Sequence, residues 1–599
     1  MPGRDYIVLV RRPGEAAGGP FAAAAARLRE EAAWTLRYDH PTLSAWSVGD
    51  ELPVRALRQD AGIVIGQLHA APGIPRDASP LVEGREPLGA PDDVAQRLLQ
   101  AHWGRYVAVI RDDRGAAVLR DPSGDLDACV WTTREGVGVV ASDLSRVPGW
   151  LRPQRVGLRW DRIALCLAAP GGATATSLLD DVEIVAPGGL RPVLDGAGPS
   201  LAWDIPALCA PAPLDPIAAR AQLLETVDRC TSGSVVGYDR LLVDLSGGLD
   251  SSVVAGAIAH AGLTSRVTQW VHRLDDRPEG DERAYARAVT DRLGGELTVV
   301  RKPLTPLTPE DFAELADGFW PGLNGADAAR DRDIAGRLAH ADAIVSGQGG
   351  DAVFYQMPTP WVASETVRRR GLAALAAPVL VDTARRLRKP VWTVYREARA
   401  GLRPGRGLPP VASTLLTAAA REAAVHAVHP WEAAARGLPL ARQLQVCALA
   451  NAHVVRGDSR RRRRGDLVFP LATQPLVELC LSIPVEVLVG GVQDRPFARE
   501  ALAPRIPDVI RHRRSKGSLT AYFSRLVAAS RETLLPFLRD GCLAEAGLLD
   551  PAAVERAFDP DLLIWNGRPN DVLNAAPVEA WVRHWQGRVP DAARSPRRG

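Results

Sequence analysis

Twelve consecutive residues constrain this chain most: Leu241-Leu242-Val243-Asp244-Leu245, then Ser246-Gly247-Gly248, then Leu249-Asp250-Ser251-Ser252. The apolar run Leu241 to Leu245 suits a strand covered on both faces, as in a parallel sheet. Gly247 and Gly248 have no Cβ, so backbone can approach a ligand closely there. Asp250, Ser251 and Ser252 suit the first turn of a helix, which Val253 to Ala259 continue. Free amides at such a turn, with small hydroxyls beside them, make a phosphate cradle. The plainer alternative is a glycine turn between any strand and any helix. The order of strand, loop, acid and hydroxyls favours the cradle. It is not of the Walker type, which needs a lysine after its last glycine.

The pattern Ser-Gly-Gly-x-Asp-Ser resembles the pyrophosphate loop of ATP pyrophosphatases, which split ATP between the α and β phosphates and adenylate a substrate. About a hundred residues on, Ala343-Ile344-Val345-Ser346-Gly347-Gln348-Gly349-Gly350-Asp351 repeats the order strand, glycine turn, acid. Ligands of open parallel sheets sit beyond the carboxyl ends of strands. Asp250 and Asp351 are therefore expected to face one site. Two carboxylates alone would repel a triphosphate. Mg²⁺ between them reverses the sign and finds the oxygen ligands it prefers. Asp351 taken alone also suits a helix N-cap.

A third point is a lysine. Lys and Arg together number 73, yet only Lys302, Lys389 and Lys516 are lysines. Lys516 sits in Arg511-His512-Arg513-Arg514-Ser515-Lys516-Gly517-Ser518. A compact ammonium among arginines suits a small reacting centre that a planar fork would not fit; a chance lysine in a basic loop is the alternative.

The 599 residues allow two or three domains. An apolar fraction of 46% and a net charge of +3 are ordinary for a soluble protein and do not call for nucleic acid. No secretory signal or apolar run long enough to span a membrane is read, and a cytoplasmic protein without stable membrane insertion is expected. The seven cysteines are scattered, with no Cys-x-x-Cys pair. Asp204 to Pro216 holds four prolines in 13 residues and reads as a linker. Before it, Tyr106–Ile110, Ala116–Leu119 and Gly138–Ala141 read as antiparallel strands. After it, strands alternate with helical stretches, and the last third is mostly helical. Gly401 to Pro410 reads as a loop and Pro590 to Gly599 as a frayed basic tail. The run Arg460 to Arg464 reads as a solvated face, with phosphate or acidic-peptide contact as the alternative. His426 and His429 have no third ligand near them and read as a helix pair rather than a metal site.

These features together resemble the asparagine-synthetase superfamily along nearly the whole chain. Gly104-Arg105-Tyr106-Val107-Ala108, Arg120-Asp121-Pro122-Ser123-Gly124, Val140-Ala141-Ser142-Asp143 and Ala186-Pro187-Gly188 follow the order of its glutaminase domain. The loops Ser246–Ser252 and Ser346–Asp351, Lys516, and Pro470-Leu471 with Val477-Glu478-Leu479 and Ile483-Pro484 match its synthetase domain. The resemblance implies an α/β protein. An N-terminal glutaminase-like (Ntn-type) antiparallel β-sandwich would span 1–205, and a parallel α/β ATP-pyrophosphatase (PP-loop) domain with a helical C-terminal part would span 206–599. It implies that ATP lies against Leu245, Ser246, Gly247, Gly248, Asp250, Ser251, Ser252, Val271, Ser346 and Gly347. Asp250 and Asp351 would hold Mg²⁺. Arg495 and Arg499 would contact pyrophosphate, though ordinary helix-surface charge at i, i+4 is the alternative. Lys516 would act on the acyl-adenylate.

Departures narrow the subfamily. Glutaminase domains of this kind need a cysteine directly after the initiator Met; here Pro2 follows, and the first cysteine is Cys129. The glutamine pocket also uses an asparagine, and none precedes Asn324. The N-terminal domain is then expected to be a scaffold, and ammonia is not the expected amine. β-Lactam synthetases carry a tyrosine three residues before the second metal carboxylate; here Gln348 stands there. The stretches Ser346–Phe354, Phe469–Glu478 and Arg514–Gly517 look most like lasso-peptide cyclases. That implies a leader-free precursor peptide as substrate, with a leader peptidase and a small leader-binding protein as partners. An Asp or Glu side chain would be adenylated and attacked by the peptide's α-amine, closing a macrolactam.

Overall fold

A computed structural model describes residues 4–588, except 51, 73, 75–88, 114, 154–155, 195–197, 211–213, 275–276, 278–279, 372–377, 404–406, 409–412, 426–427, 515–516, 518 and 566. Pro2, His426, Lys516, the tail from Pro590 and much of the loop Gly401 to Pro410 thus lie outside the described residues.

The N-terminal part is two six-stranded antiparallel sheets face to face. One runs, edge to edge, Glu183–Ile184, Cys129–Thr132, Gly138–Ala141, Tyr6–Val10, Leu43–Ser47, Thr35–His40. The other runs Ser200–Leu201, Gly189–Pro192, Gly115–Arg120, His102–Asp112, Gly62–Ala70, Val54–Ala56. Successive side chains of a strand point to opposite faces. Tyr6, Val8, Ile63, Ile65, Val107 and Val109 accordingly fill the space between the sheets. Ile7 and Leu9 point the other way, into a cluster with Trp581 and Trp585 of the helix Pro569–Gln586. Tyr106, Ala108 and Ile110 point into the cluster that also holds Leu241 and Val243. Each sheet is thus covered on both faces, which is why Tyr6–Val10 and the stretch 106–110 are apolar at every position instead of alternating.

The second part is a five-stranded sheet, all parallel, ordered Leu297–Arg301, Val267–Leu274, Leu241–Asp244, Ala343–Val345, Asp466–Val468. The strand Leu241–Asp244 is central. The helix Leu249–His260 that follows it is buried from Leu249 to Ile258, as its nearly all-apolar sequence requires. Its Gly256 has room for no side chain, since a Cβ there would lie 2.8 Å from the carbonyl carbon of Arg505.

The proline-rich stretch read as a linker is partly helical. Asp204 caps Ile205–Leu208, accepting from the Ala207 amide at 3.0 Å, and Asp215 caps Pro216–Val235. Proline at the first helical positions costs no hydrogen bond there. The arginine run is corrected more sharply: it is not a solvated face. Arg460 and Arg461 are each 8% exposed. Their amides and the Arg461 guanidinium converge on the fully buried Asp331. Arg462 reaches Asp127 of the sandwich at 3.1 Å, and Arg463 reaches Asp317 at 2.6 Å. These four charges each have an acid within reach, so they tie together elements distant in sequence, while the fifth, Arg464, is exposed as expected.

Candidate active site

The strand order reverses direction at Leu241–Asp244: its sequence successor, Val267–Leu274, lies on one side and Ala343–Val345 on the other. That is the topological switch point, where a crevice opens beyond the strand ends. Both glycine loops leave the sheet there.

The first loop is held by its own hydroxyls. The Ser246 amide donates to Ser251 Oγ at 3.2 Å, the Gly248 amide to Ser246 Oγ at 3.2 Å, and Ser252 Oγ to the Gly248 carbonyl at 2.6 Å. Gly247 has φ +75°, and a Cβ there would meet the Tyr285 side chain at 2.9 Å. Leu245 is anchored to the neighbouring strand, its amide donating to the Val271 carbonyl at 2.8 Å. Its own carbonyl lies 2.9 Å from Nδ1 of the buried His272.

The second loop lies against the first. A Cβ on Gly347 would be 2.5 Å from the Asp250 carbonyl carbon, and one on Gly350 would be 2.6 Å from its carboxyl carbon. Only glycine permits that approach. The result brings Asp250 and Asp351 together. One nitrogen of Arg495 donates to both oxygens of Asp250, at 2.7 and 2.8 Å, and to Asp351 at 3.0 Å. Arg495 is 3% exposed and its backbone is left-handed, φ 49°. Burial opposes its charge, but Asp250, Asp494 and Asp351 outweigh that and hold its pKa above the ordinary value.

Neither basic position is ordinary surface charge. Arg499 is 5% exposed, and its guanidinium donates to the carbonyls of Asp494 at 2.7 Å and Ile510 at 2.6 Å. With its donors turned to backbone, it shapes the segment before the lysine loop. Lys516 lies outside the described residues, but the loop's flanks are fixed. The Gly517 amide donates to Glu282 at 2.8 Å. Arg513 pairs with the same carboxylate, donates to the Gly247 carbonyl at 2.8 Å and stacks over Tyr285 at 3.8 Å. Arg513 and Gly517, on either side of the lysine, are thus both held by Glu282, and Arg513 also holds the first glycine loop. Glu282, Arg513 and His272 were not singled out from the sequence. Arg513 stood in the basic loop already noted; nothing local distinguishes the other two.

Asp250 and Asp351 present oxygen donors to one point already held by positive charge. Among the described residues no group of three or more His, Cys, Asp or Glu is placed to bind a metal. Two carboxylates suit Mg²⁺, which takes few protein ligands and completes its shell with phosphate and water. The described His429 is fully buried, its Nδ1 accepting from the Trp431 amide at 3.1 Å, so it is a helix cap.

A separate cavity of about 350 Å³ lies between the sandwich and the second part, lined by Arg120 and Asp143 of the glutaminase-like motifs and by Asp458. Burial, then the charge of Asp458, pushes the Asp143 carboxyl up to about 7. Burial pushes all seven thiols above their ordinary value, Cys209 to about 11 and Cys447 to about 12. None is set up as a thiolate nucleophile.

Fold and crevice define an α/β domain of the pyrophosphate-loop type behind an Ntn-type sandwich. A family model described as asparagine synthase matches residues 218–586, and the chain belongs to that family, whose members are ATP-dependent amide-forming ligases that use ATP with Mg²⁺. No curated protein matches the chain. No described helix is long and apolar enough to cross a membrane.

Proposed function

We propose that this protein is a lasso-peptide cyclase. It adenylates an Asp or Glu side chain of a leader-free peptide, and the peptide's own α-amine displaces AMP to close a macrolactam. The observation that carries the adenylating half is the convergence of Asp250 and Asp351 at the mouth of two glycine loops. A carboxylate acylates poorly until AMP is its leaving group. Asp250 and Asp351 would hold Mg²⁺, which when bound would supply charge neutralisation for the departing pyrophosphate. The loop amides and the hydroxyls of Ser246 and Ser251 bind phosphate, and Arg495 contributes a cation beside them. Lys516 stabilises the oxyanion formed as the amine attacks, worth about 3–4 kcal/mol for one well-placed donor. Holding both peptide ends in one crevice supplies the remainder through effective molarity.

Gln348, exposed in the second loop, has no acid–base function, which favours a peptide α-amine over β-lactam chemistry. The two thiols of residues 1–205, Cys129 and Cys166, are buried with raised pKa, which fits an N-terminal part that acts as scaffold for residues 206–599, with no glutamine hydrolysis. A leader peptidase and a leader-binding protein are the partners this reading requires, in the cytoplasm. The test is mass spectrometry for loss of one water from a leader-free peptide, with AMP measured in parallel. AMP release driven by free aspartate and ammonia, with no peptide product, would replace this reading with an ammonia-dependent asparagine synthetase.

A further inference from the structure

We infer that the arginine-rimmed cavity beside Arg495 docks the acidic part of the peptide that this protein activates; the inference rests on the peptide-ligase reading above. The cavity is about 740 Å³ and has Asp494 and Arg495 at its inner end. Its rim carries Arg385, Arg388 and Arg514, with His512 beside them. Asp494 is the only acid among the described residues that line it, and that carboxylate is engaged by Arg495 at 2.8 Å. Among the described residues Arg385, Arg388 and Arg514 make no ion pair. Elsewhere clustered arginines are neutralised, as Arg460 to Arg463 are. Three unpaired guanidinium groups around one concavity repel each other and focus a positive potential into it. Arg386 adds a second sign of an absent partner. Its terminal nitrogen donates to the Val489 carbonyl at 2.6 Å, while its buried Nε has no partner.

The walls decide between anions. Met357, Pro358 and the half-exposed Val492 line the same space. Apolar walls do nothing for pyrophosphate, whereas a peptide carrying acidic groups uses both surfaces. The volume falls within the roughly 300–1,000 Å³ of pockets that hold drug-sized ligands. Because Arg495 also touches Asp250 and Asp351, a peptide seated here has its next residues at the adenylation site.

The experiment uses the full chain without ATP. Fluorescence anisotropy compares a short fluorescein-labelled peptide carrying two glutamates and a free carboxyl terminus with its glutamine, carboxamide-ended counterpart. Wild type should bind the acidic peptide about tenfold or more tightly. The double variant Arg385→Gln with Arg388→Gln, checked for an unchanged Tm, should lose most of that preference. Equal binding of both peptides by wild type, or an undiminished preference in the variant, overturns the proposal. So does weakened pyrophosphate inhibition of the variant with unchanged peptide preference, which would mark a product exit. A wild type that prefers the acidic peptide but forms AMP with no peptide refutes the ligase reading instead, so the two failures are distinct.

Discussion

Arg495 grips Asp250 through a single nitrogen, 2.7 and 2.8 Å from the two carboxylate oxygens, and the same nitrogen reaches Asp351 at 3.0 Å. The two acids differ in their surroundings: the Asp250 side chain is 10% exposed and that of Asp351 61%. Arg495 thus occupies the point on which both acids converge. On the proposed reading Asp250 and Asp351 would hold Mg²⁺ there, and the guanidinium would then share that point or turn toward the cavity it also lines.

The first prediction separates the two acids. Asp250→Ala and Asp351→Ala should both abolish peptide-dependent AMP formation. Only Asp250→Ala should cost stability, about 3 kcal/mol, because it strips a buried guanidinium of its main partner. Asp351→Ala should stay within about 0.5 kcal/mol of wild type, as exposed substitutions do. Denaturant unfolding beside AMP assays checks this; near-normal turnover in either variant at saturating Mg²⁺ and ATP removes that acid from the mechanism.

Gly347→Ala should close the cradle. Its Cβ would sit 2.5 Å from the Asp250 carbonyl carbon, so one loop must shift. Affinity for Mg·ATP, measured by calorimetry, should fall about tenfold or more, a change of about 1.4 kcal/mol. Unchanged affinity would show that the loops need not abut when nucleotide binds.

Much of this site was legible because its signals are local. A strand, glycines, an acid and hydroxyls follow one another within twelve residues, and the backbone geometry they require leaves few alternatives. Long-range pairing left no such trace. Glu282 meets Gly517 across 235 positions, and the Arg460–Arg463 run finds the acids Asp127, Glu314, Asp317 and Asp331. A run of like charge reads as solvated until the fold supplies opposite charges. Asp204 to Pro216 misled in another way: prolines that suggest a tether are also the residues that open a capped helix.

Asp143 should make stability depend on pH. In the unfolded chain its carboxyl ionises near pH 4, as free aspartate does. In the folded chain it keeps its proton until about 7, through burial and then Asp458. The folded state therefore binds more protons between those values, and stability falls as pH rises through that window. The penalty is complete above about pH 7. Asp143→Asn keeps an acceptor for the Ser145 amide, now 3.0 Å from the carboxylate, and removes the charge. It should raise stability at pH 8 by about 2 kcal/mol, leave it unchanged near pH 4, and flatten the slope between. A variant whose unfolding curves track wild type at every pH would show that the carboxyl ionises normally.

The last prediction separates the two half-reactions through Glu282. This carboxylate gathers the Gly517 amide and Arg513, so it holds the described residues on either side of Lys516. Lys516→Met should lower macrolactam formation about a hundredfold, the usual loss for one oxyanion donor, while ATP–pyrophosphate exchange persists. Lys516→Arg should not restore the rate, because a planar fork differs in shape from an ammonium. Glu282→Ala leaves the lysine present but its loop untethered. Its loss of product should therefore be real but smaller, again with exchange largely retained. Arg513 keeps the Gly247 carbonyl and Tyr285, so the phosphate cradle is spared. If the carboxylate acts through the lysine, the double variant should be no slower than Lys516→Met alone. Additive losses would mean that Glu282 contributes independently, and wild-type cyclisation by Lys516→Met would remove the lysine from the chemistry and the loop with it.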